Sequence, residues 1–429
     1  SFPRSIRHRI DLGNDTFATG KISNEKVDEL CRVLREFEEI MRSYKVEDYR
    51  AYGTSAIRET ENTMIVLDQI QQRTGIHIDV LSNSEQRFLD YKSIALKGQD
   101  FNKIIEKGTA IVDIGGGSIQ VSLFDKDTLV ATQNLRLGVL RLQELLNKLN
   151  ARPAKYEGLL EEMIDSQLSV FKKLYLKDRI VENIIIVDDY VSTLIQKRLT
   201  GSQTPGYVDS ASYGVFMEAL RSHTKEEVAA HFGVSVESLP LIFISAVLIY
   251  NVAKLMEAKL LWAPGVTRCD GIAYEYAEKN KIIGPKHDFE QDIVACARNI
   301  SKRFMGSRRR GETLEHICVT IFDSMKKVHG LGKRERLLLR IAALLHDCGK
   351  YISMVNLGEC SYSIVMATEI IGLSHREREI VANVVKYNHQ DFDYYEELGT
   401  TTTLDTQSYL TIAKLTAILR LANSMDRSH

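Results

Sequence analysis

Residues 109–123 read Thr-Ala-Ile-Val-Asp-Ile-Gly-Gly-Gly-Ser-Ile-Gln-Val-Ser-Leu, and no other stretch limits the possible folds so tightly. Ala110, Ile111 and Val112 have the composition of a buried strand, Asp113 stands at its end, and residues 121–124 begin a second strand. Three glycines between the strands let the chain take positive φ and come close to a ligand. Successive N–H groups in such a turn form a nest whose natural guest is a phosphate. A plain hairpin is the competing reading. The order strand, Asp113, Gly115, Gly116, Gly117, Ser118, strand favours a phosphate loop. A carboxylate beside that nest can hold Mg²⁺ or position a water, which makes Asp113 the first catalytic candidate.

This hairpin resembles the second phosphate loop of the actin-like ATPase and sugar-kinase superfamily. Residues 53–62, Gly-Thr-Ser-Ala-Ile-Arg-Glu-Thr-Glu-Asn, resemble the Thr-Ser-Ala-x-Arg-x-x-x-Asn segment of the Ppx/GppA phosphatases, the exopolyphosphatase and guanosine pentaphosphate phosphohydrolase family. Residues 81–91, Leu-Ser-Asn-Ser-Glu-Gln-Arg-Phe-Leu-Asp-Tyr, resemble that family's acidic catalytic patch. The three blocks agree in order and spacing, and the likeness runs over most of the chain. The resemblance implies an α/β fold with two actin-like (ribonuclease H-like) subdomains around a cleft, over 1–108 and 109–283, followed by an all-helical HD-like domain over 284–429. It implies Mg²⁺-dependent release of orthophosphate from inorganic polyphosphate or a guanosine polyphosphate, by a cytoplasmic homodimer. It also implies an initial strand and a first phosphate loop, of the Asp-x-Gly-Ser-Asn type, ahead of residue 6. Residues 6–12 read as a strand already inside a domain, so a chain opening at Ser1 and stopping at His429 is expected to be a fragment.

Composition sets broader limits. The 429 residues are 44% hydrophobic and 26% charged, with a net charge of −1. That balance gives no overall pull toward nucleic acid or membrane, so a polyanion site must be a local patch. Six scattered cysteines form no CxxC pair and read as reduced thiols of a cytosolic protein. The longest apolar run, 239–253, holds Pro240, Ser245 and Asn251 and reads as a core helix rather than a membrane span.

The periodicity predicts a helix over 24–44 with Ser23 as N-cap, a short strand over 49–53, a helix over 63–74, a strand over 76–81 and a helix over 84–96. After the hairpin it predicts helices over 137–149 and 155–175 and a strand over 184–187. Helices over 192–199, 209–223, 225–231 and 240–255 follow. From residue 289 onward the pattern is helical, with a boundary near 280–286 where Gly284 and Pro285 break a charged stretch. Thr224 and Glu227 read as a capping box and Gly233 as a helix stop. This makes 225–239 a weak helix-turn-helix look-alike that a bare helical hairpin explains, so no nucleic acid is expected.

Several residues carry possible chemistry. Arg58 can clamp phosphate oxygens bidentately, with a salt bridge inside the sheet domain as the alternative. Glu85 is the lone carboxylate of the acidic patch and the candidate general base, or else an N-terminal helix acid. Aligning the patch from Ser82 puts Gln86 at the usual catalytic position, whereas aligning on Arg87 puts Glu85 there. The resembled family reads Gly-Gly-Gly-Ser-Thr-Glu where this chain has Ile119 and Gln120. If Gln86 also stands in for an acid, the acids are thinned at two places, which fits a weakened enzyme, an altered substrate, or a sensor that binds polyphosphate or an alarmone without hydrolysis. Asp188 and Asp189 follow the 184–187 strand where kinases approach a nucleotide, and Asp189 is expected to cap a helix. His316, His346 and Asp347, with Asn423 and Asp426 near the end, resemble the HD-domain order and offer a possible second metal site. His375 and His389 are further imidazoles without fixed partners. Lys302, Arg303, Arg308, Arg309, Arg310, Lys333, Arg334 and Arg336 form a basic series that is either a solvated face or a polyanion patch.

Overall fold

The computed structural model describes residues 6, 8, 10–150, 153–197, 204–285, 287–393 and 404–426. The chain divides into two units, one of residues 1–97, 108–121 and 134–272, the other of 98–107, 122–133 and 273–429.

In the first unit α1 (Leu12–Thr19) ends at Gly20, whose φ of 83° and N–H bond to the Thr16 carbonyl form a left-handed cap. The strand expected over 6–12 is absent: residues 6, 8, 10 and 11 have no regular structure, and 7 and 9 lie outside the described residues. Alternating apolar residues supply a strand's period but not a partner to pair with, and Leu12 opens a helix. In α2 (Asn24–Ser43) the Ser23 hydroxyl accepts from the Lys26 N–H, as expected. Its residues Val27 and Cys31 pack with Ile57, Val66 and Ile70, which belong to α3 (Ser55–Glu59) and α4 (Thr63–Thr74). The expected strands shrink to β1 (Tyr52–Gly53) and β2 (Asp79–Val80), two parallel residues each. Then comes α5 (Asn83–Ala95), in which every residue from Gln86 onward is buried. A helix surrounded on all sides has no water to solvate Arg87, Asp90 or Lys92, so their polar groups need partners within the protein.

After α6 (Gln99–Ile105), part of the second unit, β3 (Thr109–Ile114) is buried at all six positions. The arms β4 (Ile119–Asp125) and β5 (Thr128–Leu135) turn through Lys126 and Asp127, both at positive φ, the geometry whose twist suits a two-residue hairpin. The helices α7 (Val139–Lys148) and α8 (Pro153–Phe171) follow, then β6 (Asn183–Val187), α9 (Val191–Gln196), β7 (Tyr207–Asp209), α10 (Ser210–Ser222) and α11 (Lys225–Phe232). The unit closes with α12 (Leu239–Met256), β8 (Leu260–Trp262) and α13 (Arg268–Lys279), the last of which runs into the second unit. Strands β3, β6 and β8 are parallel neighbours, and β7 adds antiparallel to β8. Helix α12 is long and apolar enough to cross a bilayer, yet most of it is buried within the unit. The Thr224–Glu227 capping box and the Gly233 stop are both present.

The second unit holds α14 (Phe289–Arg303), α15 (Arg308–Ser324), α16 (Lys326–His329), α17 (Lys333–Leu345), α18 (Leu357–Ala367), α19 (His375–Tyr387) and α20 (Thr406–Asp426). The chain ahead of these helices also contributes. Phe101 of α6 packs edge-on against Phe124 and His287, and Asn299 donates to the Leu129 carbonyl at 3.2 Å.

Candidate phosphate-binding site

The turn after β3 is held by its carbonyls. The Gly115 N–H closes it onto the Ser118 carbonyl at 2.9 Å. The Gly115 and Gly116 carbonyls accept from the backbone of Val139 and Arg141 at 3.0 Å each. The Gly117 carbonyl accepts from Arg141 Nε at 2.8 Å, and that of Ser118 from Arg87 Nη2 at 3.2 Å. With every carbonyl tied back, the N–H groups of Gly116, Gly117 and Ser118 face no acceptor among the described residues. Three consecutive amides without an acceptor among the described residues are the groups an anion nest would use, although Gly117 and Ser118 are themselves buried.

The reason for the glycines differs from that expectation. None of Gly115, Gly116 and Gly117 has positive φ. They are small because neighbours come close: a Cβ on Gly116 would lie 2.9 Å from Leu140 Cδ1, and one on Gly117 3.0 Å from Glu59 Oε1. The tightest approach involves Gly138, the residue before α7, where a Cβ would lie 2.1 Å from the Gly117 carbonyl carbon and 2.3 Å from the Ser118 nitrogen. Gly138 therefore lets the start of α7 lie on the turn. Arg141 fixes that contact further by pairing with Glu59 and lying 5.0 Å over the Phe17 ring.

Beneath the turn is a buried charge cluster. Arg87 Nη1 lies 2.6 Å from Asp113 Oδ2, with both side chains almost wholly buried. Arg87 Nη2 also donates to the Ser118 hydroxyl at 3.2 Å. Asp90, one helical turn after Arg87, shares a hydrogen bond with Asp113 and accepts from Arg268 Nη2 at 2.9 Å and Nε at 3.2 Å. Arg268 reaches Asp90 because Gly271 lets α13 touch α5: a Cβ there would lie 1.9 Å from the Leu89 carbonyl oxygen. Burial first, and then the Asp113 charge, pushes the Asp90 carboxyl well above the usual range. Burial works to raise Asp113 too, but Arg87, the Asp90 hydrogen bond and Arg268 bring it below the usual range.

The other candidates have local partners. Arg58 donates to the Leu81 carbonyl at 2.7 Å, Asn83 Oδ1 at 2.5 Å and Gln86 Oε1 at 3.3 Å, so it braces the first turn of α5. Glu85 completes a capping box: its Oε2 accepts from the Ser82 N–H at 3.0 Å, and its own N–H donates to Ser82 Oγ at 3.2 Å. The cap on α9 is Asp188, not Asp189. Its carboxylate accepts from the N–H groups of Tyr190, Val191 and Ser192 and from the Ser245 hydroxyl. Asp188 lies nearer the strand end, where its oxygens reach all three orphan amides.

In the second unit His316, His346 and Asp347 do not form a metal site. His316 is exposed, and no three His, Cys, Asp or Glu side chains converge on a metal position among the described residues. A guanidinium lies beside the buried pair instead. Arg310 donates to Asn423 Oδ1 at 3.1 Å and Asp426 Oδ2 at 3.2 Å. Burial, partly opposed by Asp347 and aided by the Arg310 charge, holds His346 below the usual imidazole range. Burial works to raise Asp347, but His346, Lys350 and Arg310 bring it below the usual range. His389 has a fixed partner, the His346 carbonyl. The basic series is also partly spent. Arg308 pairs with Glu312, Arg334 with Glu377 and Arg336 with Asp323, while Lys302, Arg309 and Lys333 are its exposed members that no ion pair engages among the described residues.

The resemblance's Mg²⁺ can be tested on these donors. Asp113 is already in contact with Arg87, and Asp90 with Arg268. Gln86 and Gln120 bring amides, and no third carboxylate converges among the described residues. Mg²⁺ is usually held through one or two carboxylates with waters and substrate phosphates, and both carboxylates available for that role are taken by guanidinium groups. The residues present do not fit it.

Arg87, Asp90, Arg141, Gly138 and Arg268 were not assigned roles by sequence reasoning. One signal was available: Arg87 and Asp90 are charges at i and i+3 in a segment whose other residues include Phe88, Leu89, Tyr91 and Ile94. Nothing in the sequence marks Arg268.

The family model of the Ppx/GppA phosphatase family matches residues 4–279, and that of Ppx/GppA phosphatase, domain III, matches 294–429. Exopolyphosphatase 1 of Mycobacterium tuberculosis is 27% identical over 167 residues, 38% of this chain and 47% of its own length. The chain thus spans about half the length of the mycobacterial relatives it matches. The guanosine-5'-triphosphate,3'-diphosphate pyrophosphatase of Vibrio atlanticus is 20% identical over 432 residues, 97% of this chain and 80% of its own. Among solved structures, an exopolyphosphatase from Cytophaga hutchinsonii aligns with a TM-score of 0.53 at 18% identity, covering 63% of this chain and 88% of that one.

Proposed function

The chain belongs to the Ppx/GppA phosphatase family, and on that premise we propose that it acts on phosphoanhydrides, releasing orthophosphate from the end of inorganic polyphosphate or from a guanosine pentaphosphate-type nucleotide. The observation that carries this reading is the set of open amides on Gly116, Gly117 and Ser118 over the Arg87–Asp113 pair. These amides would hold the terminal phosphate and stabilise charge as the P–O bond breaks. Arg58 and Asp113 shape the site by fixing α5 and the turn. Glu85 is the base in this proposal: one carboxylate oxygen serves the capping box, and the other faces no protein donor. Lys302, Arg309 and Lys333 would meet a long polyanion through charge alone. A cytoplasmic homodimer, with residues 1–108 and 109–283 as the actin-like subdomains and 284–429 as the helical domain, completes the proposal.

The test is phosphate release from polyphosphate and from guanosine pentaphosphate. Release is expected for the native chain and lost in Gly116→Val. Glu85→Gln lowers turnover by roughly 10²- to 10⁴-fold, the usual size of a lost general base. Normal turnover in Glu85→Gln removes that residue from the chemistry. Gln86 and Gln120 favour a second reading, a protein that binds polyphosphate or an alarmone without hydrolysing it. Binding without release, with release restored by Gln86→Glu and Gln120→Glu together, establishes the second reading over the first.

A further inference from the structure

We propose that the guanidinium of Arg87, backed by Arg268, takes the place of a divalent cation beneath the phosphate turn, so that this chain binds phosphate without a metal. The inference rests on the reading of 115–118 as the phosphate site.

The geometry supports it at each contact. Arg87 Nη1 is 2.6 Å from the Asp113 oxygen that the resemblance would give to Mg²⁺. Its Nη2 donates to both oxygens of Ser118, and a Cβ on Gly115 would lie 3.4 Å from that nitrogen. The fixed positive charge therefore sits against the underside of the turn whose amides are open above it. The second carboxylate, Asp90, is held by Arg268 at 2.9 Å. Both carboxyl groups are thus already held by guanidinium groups, and Asp189 adds a further negative charge facing Arg268. A dication such as Mg²⁺ is usually held through one or two carboxylates with waters and substrate phosphates, and here neither carboxylate is left for it. Adding a dication would place further positive charge where water cannot screen it. Gln120 stands where the resembled family carries an acid, as does Gln86 in the alignment from Ser82, and both are buried amides that bring no negative charge. The same cluster is favourable to an anion. The fixed guanidinium of Arg87, beside three N–H groups without acceptors among the described residues, attracts phosphate, and it is bound by the chain and cannot dissociate as a metal ion can.

The experiment is calorimetric titration of the full chain with orthophosphate and with tripolyphosphate. It is run after exhaustive EDTA dialysis and again with added Mg²⁺, at matched ionic strength. Orthophosphate affinity is expected to agree within about twofold between the two conditions. Manganese, titrated alone and followed by electron paramagnetic resonance, is expected to show no stoichiometric bound ion. Arg87→Met is expected to lower phosphate affinity at least tenfold, with Arg87→Lys between it and the native chain because lysine keeps the charge but loses the fork. Since Arg87→Met strands a buried carboxylate, the double change Arg87→Met with Asp113→Asn removes the pair as a unit and is expected to fold while losing phosphate affinity. Binding that appears only with Mg²⁺, or one bound Mn²⁺ that Asp113→Asn abolishes, overturns the metal-free inference and leaves the phosphate site standing. Absence of phosphate binding in both conditions overturns the site reading itself, and the inference with it.

Discussion

Each unit contains an arginine against an acidic cluster where the family resemblance placed a metal, and the two behave differently. In the first unit Arg87 and Asp113 have side chains only 3% and 6% exposed. In the second, Arg310 and Asp426 are 33% and 17% exposed. A fully buried pair is held together by necessity, because water cannot compensate either charge and each is the other's nearest counter-ion. A pair that reaches solvent keeps water as an alternative partner. What lies beside each pair differs too. Arg87 grips a turn with three open amides, whereas Arg310 joins the start of α15 to the end of α20 and leaves no comparable nest. The same side chain thus charges the proposed phosphate turn in one unit and fastens helices in the other.

The largest expected effect tests that contrast directly. Arg87→Met leaves Asp113 without its counter-ion in a dry site and should cost about 3–5 kcal/mol of folding stability. Arg310→Met removes hydrogen bonds from a pair that water already reaches and should cost roughly 1 kcal/mol. Urea denaturation followed by circular dichroism measures both. Equal costs would mean that burial does not distinguish the two pairs.

Gly138→Ala comes next. A methyl group would enter the space occupied by backbone atoms of Gly117 and Ser118, which cannot rotate away as a side chain can. The expected cost is about 2–3 kcal/mol, at the upper end for overpacking. Phosphate affinity should fall with it, because the start of α7 holds the turn's carbonyls back. An alanine variant with native stability and native phosphate affinity would show that the turn does not depend on α7.

These two arguments also mark how much could be read in advance. The β3–turn–β4 hairpin, helices α2, α4, α5 and α12, and the helical character of the second unit were legible because each carries a period, a cap or a glycine run. The strands β7 and β8 were not, since three residues show no period. Within the site, Asp113 and the glycines were visible as a local motif. Gly138 and Arg268 were not, because their roles arise from contacts with segments 20 and more than 150 residues away in the chain. Glu85 shows the opposite failure: the sequence offered a catalytic role or that of an N-terminal helix acid, and the structure engages one of its oxygens in a capping box that neither reading named. Arg310, assigned to a polyanion patch as one of three consecutive arginines, faces partners 113 and 116 residues away.

Asp90→Asn sharpens the comparison through pH. The Asp90 carboxyl is raised well above its ordinary value of 3.8 in the folded chain, so folding takes up a proton above that pH. Its contribution to stability is fully present below the unfolded value and is lost as pH rises through the folded one. Asparagine keeps the shape and has no proton to take up. The variant should therefore gain stability relative to the native chain as pH rises from about 4 toward neutrality, with no gain at lower pH. A relative gain that grows instead as pH falls would assign the shared proton to Asp113.

His346 gives the smallest effect and the opposite sign. Its imidazole is held below the ordinary value of 6.5, chiefly by burial, so the folded second unit keeps it neutral while the unfolded chain protonates it more readily. The stability from this group is present above 6.5 and is lost as pH falls through the folded value. The Nδ1 atom lies 2.8 Å from the Ala343 carbonyl, which suits a neutral ring carrying its proton on that nitrogen. Nε2 is buried without a hydrogen-bond partner, 3.7 Å from Asp347 Oδ2. Protonating Nε2 would create a favourable contact with Asp347, so the loss should be small. Native-state hydrogen exchange, with rates corrected for intrinsic pH dependence, reads it locally. Protection of the amides near the end of α17 should decline between pH 7 and pH 5 in the native chain and stay level in His346→Gln. If protection increases on acidification, the Asp347 attraction outweighs burial, and the second unit's pair is governed by charge as strongly as the first unit's.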